Sequence, residues 1–305
     1  MKRNGILNIT KPVGQTSMDV VRFVKRLTEE RKVGHGGTLD PIAGGVLPIF
    51  IGQATRLMEP LIDGRKVYKG KIRLGAATQT YDACGDVTET GDPSGITRKS
   101  VEEAFKAFLG PFIQIPPMYS ALKRNGERLY DLARAGFEVP REGRLVEVFR
   151  INILSYEQPD LEVEIECGRG VYIRSIAHDL GEALGCWGHL TALTRMKTGP
   201  FMIEQSVTVD EFSEAVRVGT WADLLYPMDV VVGYMKYGVI GQETETWVRQ
   251  GGYVDLTGLL TPDGMTEEEE QCRLYNSAGL FLGLAKYDKR SRLWKPNKIF
   301  STASL

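Results

Sequence analysis

The 305-residue sequence lacks the motifs of most common enzyme classes. It contains no G-x-S-x-G, G-x-x-x-x-G-K-[ST], H-E-x-x-H or G-x-G-x-x-G string, which excludes the usual signatures of serine hydrolases, P-loop proteins, zinc proteases and dinucleotide-binding folds. Only four cysteines and three histidines occur, and the cysteines form no C-x-x-C pair. A disulfide framework or a zinc ribbon is therefore not predicted. The isolated Cys186-x-x-His189 pair has no second pair beside it, so we interpret it as a packed helix end rather than a zinc site.

Long hydrophobic runs are also missing. No stretch approaches the roughly 18 apolar residues of a membrane span, and Lys11-Pro12 interrupts the segment that follows Met1. We therefore expect neither export nor membrane insertion, and the few dispersed cysteines favour a reducing cytoplasm. A length of 305 residues exceeds the usual size of a single core, which favours two domains.

Charge is balanced overall but uneven along the chain. Residues 1–150 contain 24 Lys+Arg and 17 Asp+Glu, whereas residues 151–305 contain 14 and 22. The net charge is therefore +7 in the first part and −8 in the second. A basic first part is typical of a protein that contacts phosphates. Ordinary surface charge explains the same counts equally well.

Hydrophobic periodicity predicts both helices and half-buried strands. Residues 68–74 and 161–167 alternate apolar and charged side chains, as strands with one buried face do. Ser17 precedes apolar residues at helical spacing and is predicted to cap a helix, and Ser100 and Asp210 are predicted to begin two others. After about residue 230, short apolar runs alternate with turns, which indicates a small β-rich domain. The fold class predicted from these patterns is α+β.

Basic and aromatic residues are interleaved between residues 115 and 144. The aromatic members are Tyr119, Tyr130 and Phe137, and six Lys or Arg residues surround them. This combination suits RNA, where bases stack on aromatic rings. A solvated helical hairpin fits the composition as well.

Asp40 lies in a glycine-rich segment, residues 33–45, and directly precedes Pro41. Glycine and proline exclude a regular helix there and allow close backbone approaches. Such loops often carry functional residues. Considered alone, an Asp-Pro pair indicates only a turn.

Five separated blocks in the same order resemble the bacterial tRNA pseudouridine-55 synthases, the TruB family. They are NITKPVGQTS, VGHGGTLDPIAGGVLPI, VYKGKIRLGAAT, IPPMYSALKRNGERLYDLARAG and GVYIRSIAHDLGEALGCWGHL, and the similarity extends from about Asn8 to Gly199. The resemblance implies a pseudouridine synthase catalytic fold with a central mixed, mainly antiparallel sheet in residues 1–229. It also implies a thumb-like insertion at about 115–144 and a small PUA-like RNA-binding domain in residues 230–305. A monomer is expected.

The resemblance also implies the reaction. Pseudouridine forms when the N1–C1′ glycosidic bond of uridine breaks and the uracil rejoins through C5, which requires no cofactor and no metal. Asp40 matches the family's catalytic aspartate, Tyr68 its active-site tyrosine and Arg174 the arginine that holds the aspartate. A carboxylate can stabilise or capture an electron-poor C1′, or help to move a proton.

The remaining implied site residues bind the substrate, which is expected to be the T stem-loop of tRNA. A uracil inside a stacked loop must be flipped out before C1′ can be reached. The resemblance implies that Tyr68 supports the flipped base and that His35 fills the vacated space. Leu193 matches a leucine of the uracil pocket, Lys11 belongs to the KP block that would brace the catalytic loop, and Tyr172 lies in the YIR block.

Two glycines depart from the family pattern, which usually has threonine at both positions. Compared with threonine, Gly36 and Gly44 give the backbone more freedom and provide no hydroxyl, and Asp40 itself is retained. Two rival functions remain: a non-catalytic RNA-binding or tRNA-folding protein, and a pseudouridine synthase that acts on another RNA. Retention of Asp40, Tyr68 and Arg174 argues against the first rival.

Overall fold

A computed structural model describes residues 3–301 except 121, 125, 138 and 257–269. Within this part, the strands are β1 Gly5–Lys11, β2 Val33–His35, β3 Ala43–Ile51, β4 Lys66–Leu74, β5 Ala76–Thr78, β6 Val87–Thr90, β7 Gly110–Gln114, β8 Lys123–Arg124, β9 Glu127–Arg128, β10 Arg144–Glu157, β11 Asp160–Cys167, β12 Gly188–Thr198, β13 Phe201–Met202, β14 Leu225–Tyr226, β15 Tyr237–Ile240, β16 Gln271–Asn276, β17 Phe281–Asp288 and β18 Leu293–Ile299. The α-helices are α1 Ser17–Thr28, α2 Met58–Asp63, α3 Arg98–Phe105, α4 Leu129–Arg134, α5 Ile173–Ala183, α6 Val209–Arg217 and α7 Gln242–Arg249. Short 3-10 helices cover Gly52–Leu57, Lys106–Phe108, Ile203–Gln205, Trp221–Leu224 and Met228–Val232.

One large sheet forms the centre of the molecule. Its strand order is β14-β1-β3-β12-β4-β11-β10-β7, with β2 paired to β3 and β13 to β12. Strand β12 runs parallel to β3, and the other pairs are antiparallel. The predicted mixed, mainly antiparallel sheet is therefore confirmed. Because β12 lies between β3 and β4, it joins the strand that follows Asp40 to the strand that carries Tyr68.

Alternation along β4 and β11 gives this part of the sheet a buried face and a charged face, whereas β3 is buried throughout. In β11, Leu161, Val163, Ile165 and Cys167 are buried, as their spacing predicts, and helices α1, α3, α5 and α6 contribute to the same core. On the opposite face, Lys69 pairs with Glu162 at 3.3 Å and Arg73 with Asp160 at 2.9 Å. Half-exposed pairs of this kind contribute little stability, so burial of the apolar face holds the sheet together.

Three helices are capped by a threonine rather than by the residue predicted to cap them. Thr16, Thr97 and Thr208 each accept a hydrogen bond from the third residue of the helix and close a capping box. The predictions that Ser17, Ser100 and Asp210 cap these helices were wrong, because each already lies inside the first turn. Helix α5 begins at Ile173, which places Arg174 in its first turn.

A second, four-stranded sheet follows near the C-terminus in the order β15-β16-β17-β18, together with α7, which the sequence reading missed. It has its own core, which includes Leu274, Leu282 and Trp294. Leu284 and Phe300 pack instead against a cluster that contains Ile6 and Phe50 of the large sheet. The β-rich C-terminal unit is confirmed, while its boundary at residue 230 and its PUA character remain predictions. None of the described helices is long and apolar enough to span a membrane.

Candidate active site

Asp40 lies in a loop between β2 and β3 that several backbone contacts hold in place. The hydroxyl of Ser17 donates to the carbonyl of Leu39 at 3.1 Å and accepts from the N–H of the same residue at 2.8 Å. The N–H of Gly14 donates to the carbonyl of Pro41 at 2.8 Å, and Ala43 N–H donates to the Asp40 carbonyl at 3.0 Å. These contacts fix the backbone on both sides of the carboxylate.

Arg174 contacts Asp40 directly, as the resemblance implies. Its Nε donates to Oδ2 of Asp40 at 2.8 Å, Nη1 to the carbonyl of Thr80 at 3.0 Å and Nη2 to the carbonyl of Tyr119 at 2.9 Å. The arginine is only 3% exposed. Arg174 thus binds the Asp40 carboxylate through one nitrogen only, because its other two nitrogens donate to backbone carbonyls.

Asp82 is a second carboxylate beside Arg174 that the sequence reading missed. Its Oδ2 lies 3.5 Å from Nη1 of Arg174, and its Oδ1 accepts from the hydroxyl of Thr80 at 2.6 Å and from the N–H of Cys84 at 3.0 Å. The residue is buried. An aspartate in a turn after a strand has no distinctive spacing, so no local sequence signal marks it.

Tyr68 and Arg195 face each other on β4 and β12. Arg195 is fully buried; its Nε donates to the carbonyl of Val46 at 2.8 Å and its Nη2 to that of Gly37 at 3.1 Å. Burial raises the pKa of Tyr68, and the charge and hydrogen bond of Arg195 oppose that rise. Tyr68 is therefore a neutral phenol held by a buried cation, and Arg195 also supports the loop that carries Asp40.

His35 and Lys11 are both drawn toward their neutral forms. Burial lowers the pKa of His35, and the charge of Arg195 adds to this effect. Its Nδ1 accepts from the N–H of Gly37 at 3.3 Å. Burial also lowers the pKa of Lys11 to about 8, although Asp40 opposes the shift. The Lys11 ammonium binds the carbonyls of Pro12 and Gln15 rather than the Asp40 loop, so the structure shows no direct brace from this side chain.

Leu193 and Tyr172 lie on the elements that flank this centre. Leu193 is 6% exposed and pairs with Ala43 on β3 and Gly70 on β4. Tyr172 directly precedes α5, and burial raises the pKa of its hydroxyl. The structure thus brings Asp40 and Arg174 into contact, and it places the other predicted site residues on β1, β2, β4, β12 and directly before α5.

One group in the described part of the chain could offer three ligand atoms to a metal ion: His178, Asp179 and Glu182 on α5. It includes none of the residues of the Asp40 centre. Half-exposed acidic groups of this kind are common without a metal, so we assign no metal site to it.

Comparison with known proteins identifies the family. Residues 25–173 match the N-terminal domain model of the TruB family pseudouridylate synthases, and residues 174–232 match the C-terminal domain model of tRNA pseudouridylate synthase B. A tRNA pseudouridine synthase B of Dehalococcoides mccartyi is 41% identical over 97% of this chain and 96% of its own. The chain belongs to the TruB family of pseudouridylate synthases. It is accordingly an isomerase, as the motif blocks predicted.

Other comparisons agree with this membership. A tRNA pseudouridine synthase B of Streptococcus pneumoniae is 38% identical over 98% of this chain and all of its own length. A chain in the solved structure of a Cbf5-Nop10-Gar1 complex superposes with a TM-score of 0.71 at 26% identity, covering 97% of this chain and 85% of that one. The chain therefore has the pseudouridine synthase fold.

Proposed function

We propose that this TruB family protein converts uridine 55 in the T loop of tRNA to pseudouridine and that Asp40 is the catalytic carboxylate. The observation that carries the proposal is the contact between Asp40 and the buried Arg174 in a loop fixed on both sides. Relatives with 37–41% identity over nearly the whole chain bear the name tRNA pseudouridine synthase B, which supports tRNA as the substrate.

The arrangement suits cleavage at C1′. Arg174 occupies Oδ2 of Asp40, and among the described residues no donor binds Oδ1, while the side chain remains one-third exposed. Oδ1 is therefore available to the ribose. There it would stabilise or capture C1′ as the N1–C1′ bond breaks, or take part in proton transfer. After the uracil turns, C5 bonds to C1′ and loses its proton.

The substrate-binding roles follow from position. Tyr68 would support the flipped uracil, with Leu193 beside it on the neighbouring strand. His35, which is neutral, would occupy the space that the base leaves, and Tyr172 would border the pocket at the start of α5. Lys11 would act indirectly through the turn that leads to Gly14, whose N–H holds the Asp40 loop.

Binding of the T stem-loop is assigned to the insertion between β7 and β10. Phe137 is 63% exposed there, and Arg134 lies 5.6 Å from the ring of Tyr130. Exposed rings and guanidinium groups suit splayed bases and phosphates. Residues 230–305 are proposed as a PUA-like domain that contacts the acceptor stem, where Arg273 lies 5.5 Å from the half-exposed ring of Tyr237. We further propose that the protein acts as a monomer in the cytoplasm.

Mapping of pseudouridine in tRNA from cells with and without this protein tests the proposal. We expect position 55 to remain uridine in the cells that lack it, and a plasmid copy to restore the modification. If the cells that lack the protein have normal tRNA but lose a pseudouridine from ribosomal RNA, the protein acts on another RNA instead.

A further inference from the structure

The start of helix α5 is held by a side chain from outside the helix. Tyr172, the residue before the first turn, provides no side-chain cap. Gln114, at the end of β7, takes this place: its amide oxygen accepts from the N–H of Tyr172 at 2.8 Å, and its amide nitrogen donates to the carbonyl of Tyr172 at 3.1 Å. Both polar ends of one buried side chain are therefore used on a single backbone residue.

Two further hydrogen bonds join the same helical turn to the segment after Gln114. The hydroxyl of Ser175 donates to the carbonyl of Ile115 at 3.1 Å, and Nη2 of Arg174 donates to the carbonyl of Tyr119 at 2.9 Å. The first turn of α5 and residues 114–119 thus form one hydrogen-bonded unit at the base of the insertion.

This segment depends on such contacts because it cannot use a sheet ladder. Residues 115–117 have no regular secondary structure, and Pro116 and Pro117 lack the N–H that a ladder requires. Arg174 needs the carbonyl of Tyr119 in place to satisfy Nη2 while Nε faces Asp40. A shift of the segment would leave a buried N–H without a partner, and the guanidinium would turn away from the carboxylate.

We propose that Gln114 is a positioning residue for the isomerisation. It fixes the start of α5 against residues 115–119, so that Arg174 presents Nε to Asp40. It acts through Arg174 and does not touch the substrate. The inference rests on the proposed roles of Asp40 and Arg174 and deepens them.

The first test replaces Gln114 with alanine in the full-length protein. We expect single-turnover formation of pseudouridine on saturating T stem-loop RNA to slow by about 10- to 100-fold, the scale of small misplacements at a reacting centre. RNA affinity should stay within about 3-fold, less than 1 kcal/mol. A rate equal to that of the unaltered protein would overturn the proposal.

The chain offers a matched control. Gln53 makes the same pair of hydrogen bonds, to the carbonyl of Ser301 at 2.9 Å and from its N–H at 2.8 Å, at a site formed by different elements. Gln53→Ala therefore removes the same pair of hydrogen bonds at a more exposed site and should leave the single-turnover rate unchanged. Equal losses in both variants would mean that the effect is general loosening of the fold.

A double-mutant cycle separates positioning from a structural role. If Gln114 acts through Arg174, Gln114→Ala should add less than about 3-fold to the loss caused by Arg174→Lys alone, because residues in one network are not additive. Multiplication of the two separate losses would show that Gln114 acts independently and would contradict the proposal.

A milder variant covers the case in which Gln114→Ala does not fold. Ser175→Ala removes only the hydrogen bond to the carbonyl of Ile115. We expect the single-turnover rate to fall by about 3-fold. An unchanged rate would contradict the proposal that the first turn of α5 and residues 114–119 act as one hydrogen-bonded unit. Asp40→Asn is assayed in parallel. If it forms pseudouridine, the proposed chemistry fails; if it is inactive while Gln114→Ala is normal, only the positioning role fails.

Discussion

Arg174 holds Asp40 through a single nitrogen, Nε, at 2.8 Å, and commits its other two nitrogens to backbone carbonyls. The guanidinium thus forms hydrogen bonds to three segments: the loop that carries Asp40, the turn at Thr80 and the base of the insertion. Asp82 lies 3.5 Å from the same guanidinium, so the buried cation is flanked by two carboxylates, Asp40 and Asp82.

The first prediction is that Arg174→Lys is not a conservative change. A lysine ammonium is a point charge and cannot reach Asp40, Thr80 and Tyr119 in the fixed fork of a guanidinium. We expect the single-turnover rate to fall by at least about 100-fold, roughly 2.7 kcal/mol, while RNA binding persists. Stem-loop affinity and single-turnover rate are measured on the same preparation. Near-normal turnover would contradict the proposed pairing.

Strands and motif residues could be predicted from the sequence, because both depend on local patterns. Alternation in residues 68–74 and 161–167 gave strands, and the motif blocks identified Asp40, Tyr68 and Arg174. Local pattern does not say which strands become neighbours, so the placement of β12 between β3 and β4 was not foreseen. Arg195 was missed for this reason, since its contacts with Val46 and Gly37 join positions about 150 residues apart.

The roles of Ser17, Gln114 and Asp82 were also missed, because each depends on contacts that only the fold creates. Ser17 looked like a helix cap because serine is a common cap, yet Thr16 supplies the cap and frees Ser17 to bind Leu39. Gln114 and Asp82 are ordinary polar residues in sequence. They become significant only when folding places them beside α5, where they supply hydrogen-bond partners to buried polar groups.

The second prediction concerns Gly36 and Gly44, the two positions at which the sequence resemblance implies threonine. A Cβ at Gly36 would lie 2.5 Å from Leu61 Cδ2 and 2.8 Å from Phe50 Cε2, whereas one at Gly44 would meet Val13 Cγ2 at 3.2 Å. Because Leu61 and Phe50 are buried, we expect Gly36→Ala to lower the free energy of unfolding by about 1–3 kcal/mol. Gly44→Ala, the matched variant, should change it by less than about 1 kcal/mol. Denaturant unfolding measures both, and equal effects would contradict the packing argument.

The third prediction concerns pH and Asp179. Burial, reinforced by Glu182, raises the pKa of Asp179 from its ordinary value of 3.8 to about 6. The folded protein binds this proton more tightly than the unfolded chain, so the stability contributed is fully present below pH 3.8 and is lost as the pH rises through 6. We expect Asp179→Asn to raise Tm by a few degrees at pH 7.5 and by much less near pH 4. A Tm difference that does not vary with pH would contradict the assignment.

The fourth prediction is that deletion of residues after 230 weakens tRNA binding more than it slows chemistry on bound RNA. The C-terminal sheet contains none of the proposed catalytic residues. Its removal also exposes Ile6 and Phe50, which pack with Leu284 and Phe300, so Tm should fall. Affinity, Tm and single-turnover rate at saturating RNA are measured below the lowered Tm. A collapsed rate with intact binding would contradict the assignment of a separate RNA-binding domain.

The fifth prediction is that Asp40→Asn folds, binds the T stem-loop with near-normal affinity and forms no detectable pseudouridine. Asparagine keeps the size of the side chain and one acceptor oxygen for Nε of Arg174. It has no negative charge, so it can neither capture nor stabilise an electron-deficient C1′. The loop itself should persist, because Ser17 and Gly14 hold its backbone without using the Asp40 carboxylate.

Binding should survive because the contacts proposed for affinity do not include this carboxylate. Stacking of a base on an aromatic ring contributes about 1–3 kcal/mol, and Tyr68 retains its place between β11 and β12 in the variant. The measurement is paired: stem-loop affinity on one hand, and tritium release from C5-labelled uridine on the other. Tritium release by purified Asp40→Asn protein would remove Asp40 from the chemistry. Loss of binding with an intact fold would instead make Asp40 a recognition residue, because the charge would then be needed before any bond to C1′ is broken.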